Sequence, residues 1–460
     1  MTRRRLLFNG FAQVVPSHLT HGLWRSPWGR THSFNDLATW IDIARTLEQA
    51  RFDGLFLADH LGIGGPYDDS YRIHTELGIC FPDNDAILVA SALAAVTSDL
   101  ALGFTSSLIQ NHPFEFARLA STLDHLTKGR VAWNVVTSAL ENSYRNVGFD
   151  KIPTHEERYA RADEFLEVVY KLWEGSWAPD AVVRDIERGI YADPERIFTI
   201  DHHGDLFDVQ GPHLSEPSPQ RVPFVYTAGM SESAHRLAAQ HAEGLLIGAH
   251  SPEHAKRVID RLRSYLPEYG RRRDDLLVFQ NLKFVVGSTT EEARRKYDDL
   301  LEWVHPAGAA AQAGGVLGID LGGKDPDEPL SIAEASGFFG AFGAAAVEDG
   351  GTSAVSINDI LDKSNAKPIV GTPEYIADVI EEWVAAGIDG INVADYLFHG
   401  SFHDFAEYVM PVLADRGLAQ REYGTGTFRE RAFHNGPFVN ERHPAARWRG
   451  AFRDNMERGR

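Results

Sequence analysis

The segment Val131-Ala-Trp-Asn-Val-Val136 is an apolar run with an amide, Asn134, in its middle, and Thr137 and Ser138 follow it at once. A buried amide without partners costs about 1–3 kcal/mol, so either a neighbouring backbone group or a polar ligand must satisfy Asn134. Three other short apolar runs also stop in polar residues. FLADH ends through Ala58 in Asp59 and His60, GFTSS ends in Thr105, Ser106 and Ser107, and VPFVYTAGMS passes Ala228, Gly229 and Met230 to reach Ser231. The last of these is a small-residue turn feeding a helix, a geometry that suits an anion because free amides and the helix dipole point outward. Ser231 would also serve there as an ordinary N-cap. His155-Glu-Glu-Arg158-Tyr159 opens a further helix. It could bring Arg158 or Tyr159 to the same anion, or form a solvated first turn whose acids favour the helix dipole.

Other chemistries lack their residues. There is no His-x-His pair for a hydrolase-type metal centre, no GxSxG elbow and no GxGxxG nicotinamide fingerprint, and the one adjacent histidine pair, His202-His203, reads as exposed loop. Residues 318–325, GIDLGGKD, approach a phosphate-binding loop, but Asp325 stands where Ser or Thr is required and no strand precedes it. One cysteine, Cys80, excludes an internal disulfide framework and a multi-cysteine metal site, and no metal is expected.

Positioning four polar strand ends on one face requires parallel strands. Strand-length runs recur at Leu6–Phe11, Gly54–Ala58, Leu100–Ser106, Val131–Val136, Phe224–Ala228, Gly244–Gly248, Val278–Val286 and Gly390–Ala394. Amphipathic stretches separate them: Phe34–Ala50, Asp85–Thr97, Glu157–Trp173, Ser231–His241, Pro252–Leu266, Thr290–Val304 and Thr372–Ala386. Eight such units predict an α/β protein with a closed (β/α)8 barrel, an open doubly wound sheet being the alternative, and sites in both lie at the C-terminal ends of the strands.

A typical barrel takes about 250 residues, and this chain has 460. The surplus falls in insertions at about 177–211 and 305–367 and in a C-terminal extension, so one barrel domain is expected over 1–435 with a basic tail over 436–460 that wraps the surface or a neighbouring subunit. The second insertion is rich in Ala and Gly around Phe338, Phe339 and Phe342. It reads as an aromatic lid or as a subunit contact.

The chain is 43% hydrophobic and 24% charged, which marks an ordinary globular protein. Its 45 basic against 65 acidic residues give a net charge of −20, which argues against nucleic acid and against an anionic membrane surface. No apolar stretch approaches the roughly 18 residues of a membrane span. The opening MTRRRLLFNGF is broken by Asn9 and lacks a small-residue cleavage site, so a cytoplasmic protein is expected.

Several colinear blocks resemble the bacterial-luciferase-like, FMN-dependent monooxygenases, in particular the subgroup of nitrilotriacetate, dibenzothiophene-sulfone, dimethyl-sulfide and long-chain-alkane monooxygenases. They include SHLTHGLWRSP at 17–27, FDGLFLADH at 52–60, STLDHLTKGRVAWNVVTS at 121–138, HEERYARADEFLEVVYKLWEGSW at 155–177, GTPEYIADVIEEWV at 371–384 and HPAARWR at 443–449.

The resemblance implies a TIM barrel with FMN at its C-terminal face. Ala58, Asp59 and Thr105 would lie by the isoalloxazine ring, Asn134 would bond its polar edge, and Thr137 and Ser138 would line it. Tyr159 and the Gly229–Ser231 turn, with Met230 in it, would hold the phosphate, and Ala228 would also contact the cofactor. Phe11, Trp24, Tyr144, Phe338 and Phe339 would stand on the substrate side, with His18 and His21 as acid/base candidates.

The implied activity is that of a two-component enzyme in a catabolic pathway. A separate flavin reductase supplies reduced FMN, and O2 gives a C4a-peroxyflavin that oxidises or cleaves a small organic or heteroaromatic substrate. The alternatives are oxidative cleavage of a larger ring system such as a flavin, as in a riboflavin-degrading lyase, and an idle flavin-binding barrel. A deazaflavin-dependent dehydrogenase ranks lower because such relatives lack the long insertions. A homodimer or homotetramer is implied as well. Two stretches depart from the family pattern, Thr227–Ser231 and Ala139–Tyr144, and both flank the implied flavin.

Overall fold

The computed structural model describes residues 5–29, 33–317, 319–325, 327, 330–331, 354–356, 367–398 and 400–453. Eight parallel strands form the centre: β1 (Leu7–Gln13), β2 (Gly54–Ala58), β3 (Ala101–Ser107), β4 (Val131–Val136), β5 (Phe224–Ala228), β6 (Gly244–Ile247), β7 (Leu277–Val286) and β8 (Gly390–Ala394). They pair in the order β6-β5-β4-β3-β2-β1-β8-β7, and β6 pairs with β7 to close the ring. The closed barrel is therefore the architecture, and the open sheet is excluded. β1 runs to Gln13, beyond the expected Phe11, because Ala12 and Gln13 still pair with Leu57 and Ala58 of β2.

The strands are apolar on both faces because both are covered. Outward residues such as Trp133, Val135, Leu55 and Leu57 join one large core with the surrounding helices. That shell includes α1 (Leu37–Gln49), α2 (Ala86–Ala94), α3 (Pro113–Thr127), α4 (His155–Tyr170), α5 (Glu232–His241), α6 (Pro252–Tyr265) and α8 (Pro373–Ala386), while α7 (Pro306–Leu317) lies at the C-terminal ends of the strands. A helical run at 400–415 follows β8. Inward residues Leu7, Phe56, Ala101, Ala132, Phe224, Tyr226, Leu246, Leu277 and Phe279 fill the lumen. Above them an amide network crosses it, with Asn9 Nδ2 donating to Asn392 Oδ1 at 3.1 Å and to the Tyr226 hydroxyl at 3.2 Å.

The insertion at about 177–211 forms two small antiparallel hairpins, Val182–Asp185 with Ile190–Ala192 and His202–His203 with Asp208–Val209. His203 is exposed as expected, but His202 is buried and accepts from Lys171 Nζ at 2.8 Å. Of the insertion at 305–367, α7 is well described, whereas Phe338 and Phe339 lie outside the described residues.

The C-terminal extension has a definite place. Helix α9 (Phe428–Phe433), started by a Thr427–Glu430 capping box, closes the N-terminal mouth of the barrel. Phe428 and Phe433 pack on Phe224 with ring centroids 4.7 and 5.8 Å apart. Arg429 forms a buried bidentate pair with Glu243 at 2.6 and 2.7 Å and donates to the carbonyls of Val222 and Pro223. Further on, Trp448 stacks on Phe452 and Arg449 pairs with the buried Glu174, so the tail wraps this chain's own surface at the end of α4.

Candidate active site

The inward residues at the C-terminal ends of the strands surround a cavity of about 430 Å3. Phe11, Ala58, Asp59, Thr105, Asn134, Ser138, Ala228, Gly229 and Met230 all line it, as do His60, Leu19, Cys80, Asn281, Lys283 and Gln312. The pleat explains the grouping: β3 and β4 are in register at Thr105–Asn134, so both side chains point up the lumen from adjacent strands.

Asn134 is buried. Its Nδ2 donates to Thr105 Oγ1 at 3.0 Å, and its Oδ1 is buried with no hydrogen-bond partner. The choice left open by the sequence thus narrows, because the neighbouring strand satisfies the donor side of the amide and leaves a buried acceptor on a residue that lines the cavity. A buried acceptor of this kind calls for a donor from a ligand.

Beside it the chain turns sharply. Ser138 has φ +53°, a left-handed conformation unfavourable for a residue with a side chain. Its Oγ lies 2.6 Å from Ser107 Oγ, and its carbonyl accepts from Arg158 Nη1 at 2.6 Å. The Tyr144 hydroxyl donates to the Thr137 carbonyl at 2.6 Å, so Tyr144 braces this turn from behind and does not line the cavity.

The β5–α5 turn faces the same corner. Gly229 adopts φ +127°, and a Cβ there would sit 3.0 Å from that of Ala234, so only glycine fits without strain. Ser231 is the N-cap of α5, accepting from Ala234 N at 3.2 Å. The Tyr159 hydroxyl reaches across to the neighbourhood of Ser231 and Thr137, and burial holds its pKa above the usual phenol value. The first turn of α4 therefore does two jobs: Thr154 and Glu157 cap it on the solvent side, while Arg158 and Tyr159 turn inward.

Opposite these groups lie the first loop and α7. The His18 ring packs on Phe11 with centroids 4.9 Å apart, and His21 Nε2 is 2.9 Å from Gln312 Oε1. Burial, with the nearby Lys283 ammonium adding to it, pushes His18 down to about 3 and His21 down to about 4, so both are neutral at pH 7. Neither imidazole is part of the lining, which takes Leu19, Cys80 and Gln312 from this region. Trp24 lies at the surface, its indole N–H donating to the Leu77 carbonyl.

Two groups escape a reading of the sequence. Asp83 accepts from Gln13 Nε2 at 2.7 Å and stands 3.2 Å from His60 Nδ1. Burial pushes Asp59 up to about 7, and burial together with Asp59 pushes Asp83 up to about 8. The second is Asp320, whose carboxylate accepts from the backbone N–H of Asp68, Asp69 and Gly322 at 2.6–2.8 Å. It ties the segment after α7 to the loop after β2, where Gly65 and Gly315 pack so closely that a Cβ on either would collide with the other's backbone. The near-match to a phosphate loop is therefore a clasp between two loops at the cavity rim.

A (β/α)8 barrel with a deep cavity at its C-terminal face, an unpaired amide oxygen inside it and an anion-type helix start beside it defines a cofactor-dependent barrel enzyme. Comparison with known proteins identifies which kind. The family model described as luciferase-like monooxygenase matches residues 18–390, and the chain belongs to that family of flavin-dependent, two-component enzymes. It is 42% identical over 450 residues to the long-chain alkane monooxygenase of Geobacillus thermodenitrificans, covering 97% of this chain and 98% of that protein. It is 38% identical to the dimethyl-sulfide monooxygenase of Hyphomicrobium sulfonivorans over 98% of this chain and 95% of the relative. Among solved structures, a long-chain alkane monooxygenase superposes with a TM-score of 0.89 at 41% identity, covering 98% of this chain and 100% of that one, and a riboflavin lyase with modified FMN and riboflavin superposes with a TM-score of 0.88 at 34% identity, covering 97% of this chain and 100% of that one. Among the described residues no helix is long and apolar enough to cross a membrane.

Proposed function

We propose that this chain is the oxygenase component of a two-component system, taking reduced FMN from a separate flavin reductase and using O2 to oxidise a small organic substrate. The observation that carries the reading is Asn134 Oδ1, a buried acceptor left open above the lumen, which fits a ring N–H donor of an isoalloxazine. Asn134, Thr105 and Asp59 would hold the polar edge of the ring, with Ala58, Ala228 and Met230 against its faces. Thr137, Ser138, Tyr159 and the Gly229–Ser231 turn would hold the ribityl phosphate, helped by the Arg158 guanidinium and the start of α5. When bound, reduced FMN supplies the electron pair that activates oxygen.

The protein binds, orients and keeps out water. Apolar residues line most of the cavity, and the Asp320 clasp holds two loops over its rim. A protonated Asp59–Asp83 pair can store a proton beside the site, whereas His18 and His21 are held neutral by burial and would serve to position groups rather than to take up a proton.

The test is a fluorescence titration with FMN followed by oxygen uptake with photoreduced FMN. We expect saturable quenching and oxygen consumption that yields product with a panel of sulfides, alkanes and heteroaromatics. Absence of FMN binding would overturn the reading. Binding without turnover would leave an idle barrel. The solved riboflavin lyase favours a second reading, cleavage of a flavin ring system, and loss of intact riboflavin by mass spectrometry in the same assay would select it.

A further inference from the structure

Lys283 places a buried ammonium on a strand that lines a largely apolar lumen. Alternation along β7 puts Leu277, Phe279, Asn281 and Lys283 on the inner face, and Lys283 faces Ala394 of β8 in register at the top of the barrel. Among the described lining residues it is the one lysine or arginine. Its Nζ reaches the Leu19 carbonyl at 3.5 Å.

The groups assigned to FMN come from β2, β3, β4 and β5, whereas β7 lies across the barrel from β3. Lys283 thus serves the half of the cavity that the cofactor leaves to substrate, where Leu19, Ile79, Leu246 and Ile247 supply apolar walls. Resting on the flavin-dependent reading, we propose that Lys283 receives the anionic head, a carboxylate or sulfonate, of a substrate whose remainder is apolar.

Its surroundings suit that task. Among the described residues, the neighbouring titratable groups include His18 and His21 on the first loop, with His60 beyond them. Both loop imidazoles are neutral at pH 7, so they place no second positive charge there. Across the cavity Asp59 and Asp83 are raised towards the neutral form by burial. Asp395 follows Ala394 on β8 and is buried, and Gln312 on α7 contributes an amide. Burial pushes Lys283 down to about 8, so it is mostly charged at pH 7 and loses its charge as pH rises through about 8.

The experiment uses FMN-loaded protein and three probes of equal chain length, 1-octanesulfonate, octanoate and 1-octanol, read by calorimetry and by the flavin difference spectrum. A charge-assisted contact implies that the two anions bind about ten- to a hundredfold tighter than the alcohol. The K283M variant should lose that preference while still binding octanol, and K283R should keep it. In the wild type the preference should decline above about pH 8, whereas K283R should hold it.

Equal binding of anion and alcohol, or a preference that survives in K283M, overturns the proposal. If K283M does not fold, the K283R and pH comparisons decide, and a wild-type preference flat through pH 9 is the overturning result. FMN titration of the same samples separates the two readings. Failure to bind FMN sinks the flavin assignment, whereas FMN binding without anion preference sinks this inference alone.

Discussion

Replacing Thr105 and Asn134 together, as T105V/N134L, should strengthen or spare the free protein while weakening its hold on FMN. In the free chain the pair makes one hydrogen bond, Asn134 Nδ2 to Thr105 Oγ1 at 3.0 Å, and leaves Asn134 Oδ1 buried and open. Deleting the bond costs about 1 kcal/mol, and deleting the open acceptor returns about 1–3 kcal/mol, so the net effect is between neutral and about 2 kcal/mol stabilising. Binding moves the other way. The acceptor is no longer there to meet the cofactor, and a loss of about 1–3 kcal/mol raises Kd roughly 5- to 150-fold. N134A alone should differ, because it strands the Thr105 hydroxyl and opens a void, costing about 1–3 kcal/mol of stability. Urea unfolding measures the first quantity and FMN fluorescence titration the second. A double variant that binds FMN as tightly as the wild type, or that loses more than about 3 kcal/mol, would refute the reasoning.

The Asp59–Asp83 pair makes stability depend on pH in an unusual direction. Both folded pKa values, about 7 and about 8, lie above the ordinary carboxylate value, so the native state holds more protons than the unfolded one and stability falls as pH rises from about 4 to 8. D83N should flatten that slope in urea melts at several pH values, and an unchanged slope would count against the pair. Removing the clasp in D320A should speed hydrogen exchange at the Asp68, Asp69 and Gly322 amides, with unaltered rates as the contrary result. R429M should cost about 3–5 kcal/mol by stranding the buried Glu243 carboxylate. The double variant R429M/E243Q should recover part of that loss, and equal stability of the single and double variants would argue that the charge is not what matters.

The strands were legible in the sequence because runs covered on both faces stand out: Gly54–Ala58, Val131–Val136, Phe224–Ala228 and Gly390–Ala394 run between the same residues in the structure. The polar ends of β2 to β5 were legible for the same reason, since a parallel barrel gathers all its strand ends on one side. Lys283 was not. In Phe279-Gln-Asn-Leu-Lys283 polar residues occur on both alternations, and Gln280 is itself fully buried on the outer face, so the pattern does not say which face is the lumen. Asp83 was hidden because 24 residues separate it from Asp59, and only the path of the loop after β2 brings them together. Helix α9 had a local signal, the Thr427-x-x-Glu430 box followed by apolar residues, but nothing local tells a helix that closes a barrel from one that lies on its surface.

That closing helix sets the order in which the molecule can be finished. During synthesis all eight strands leave the ribosome before Phe428 and Arg429 do, so any barrel formed before then is a tube open below, with the Glu243 carboxylate without its Arg429 partner and Phe224 without its Phe428 and Phe433 neighbours. Every residue assigned to the cofactor has already been made at that stage. A chain ending early, at a stop codon or by proteolysis anywhere ahead of Phe428, would thus carry a full set of ligand-binding residues in a vessel without a bottom, open to water from the side opposite the substrate.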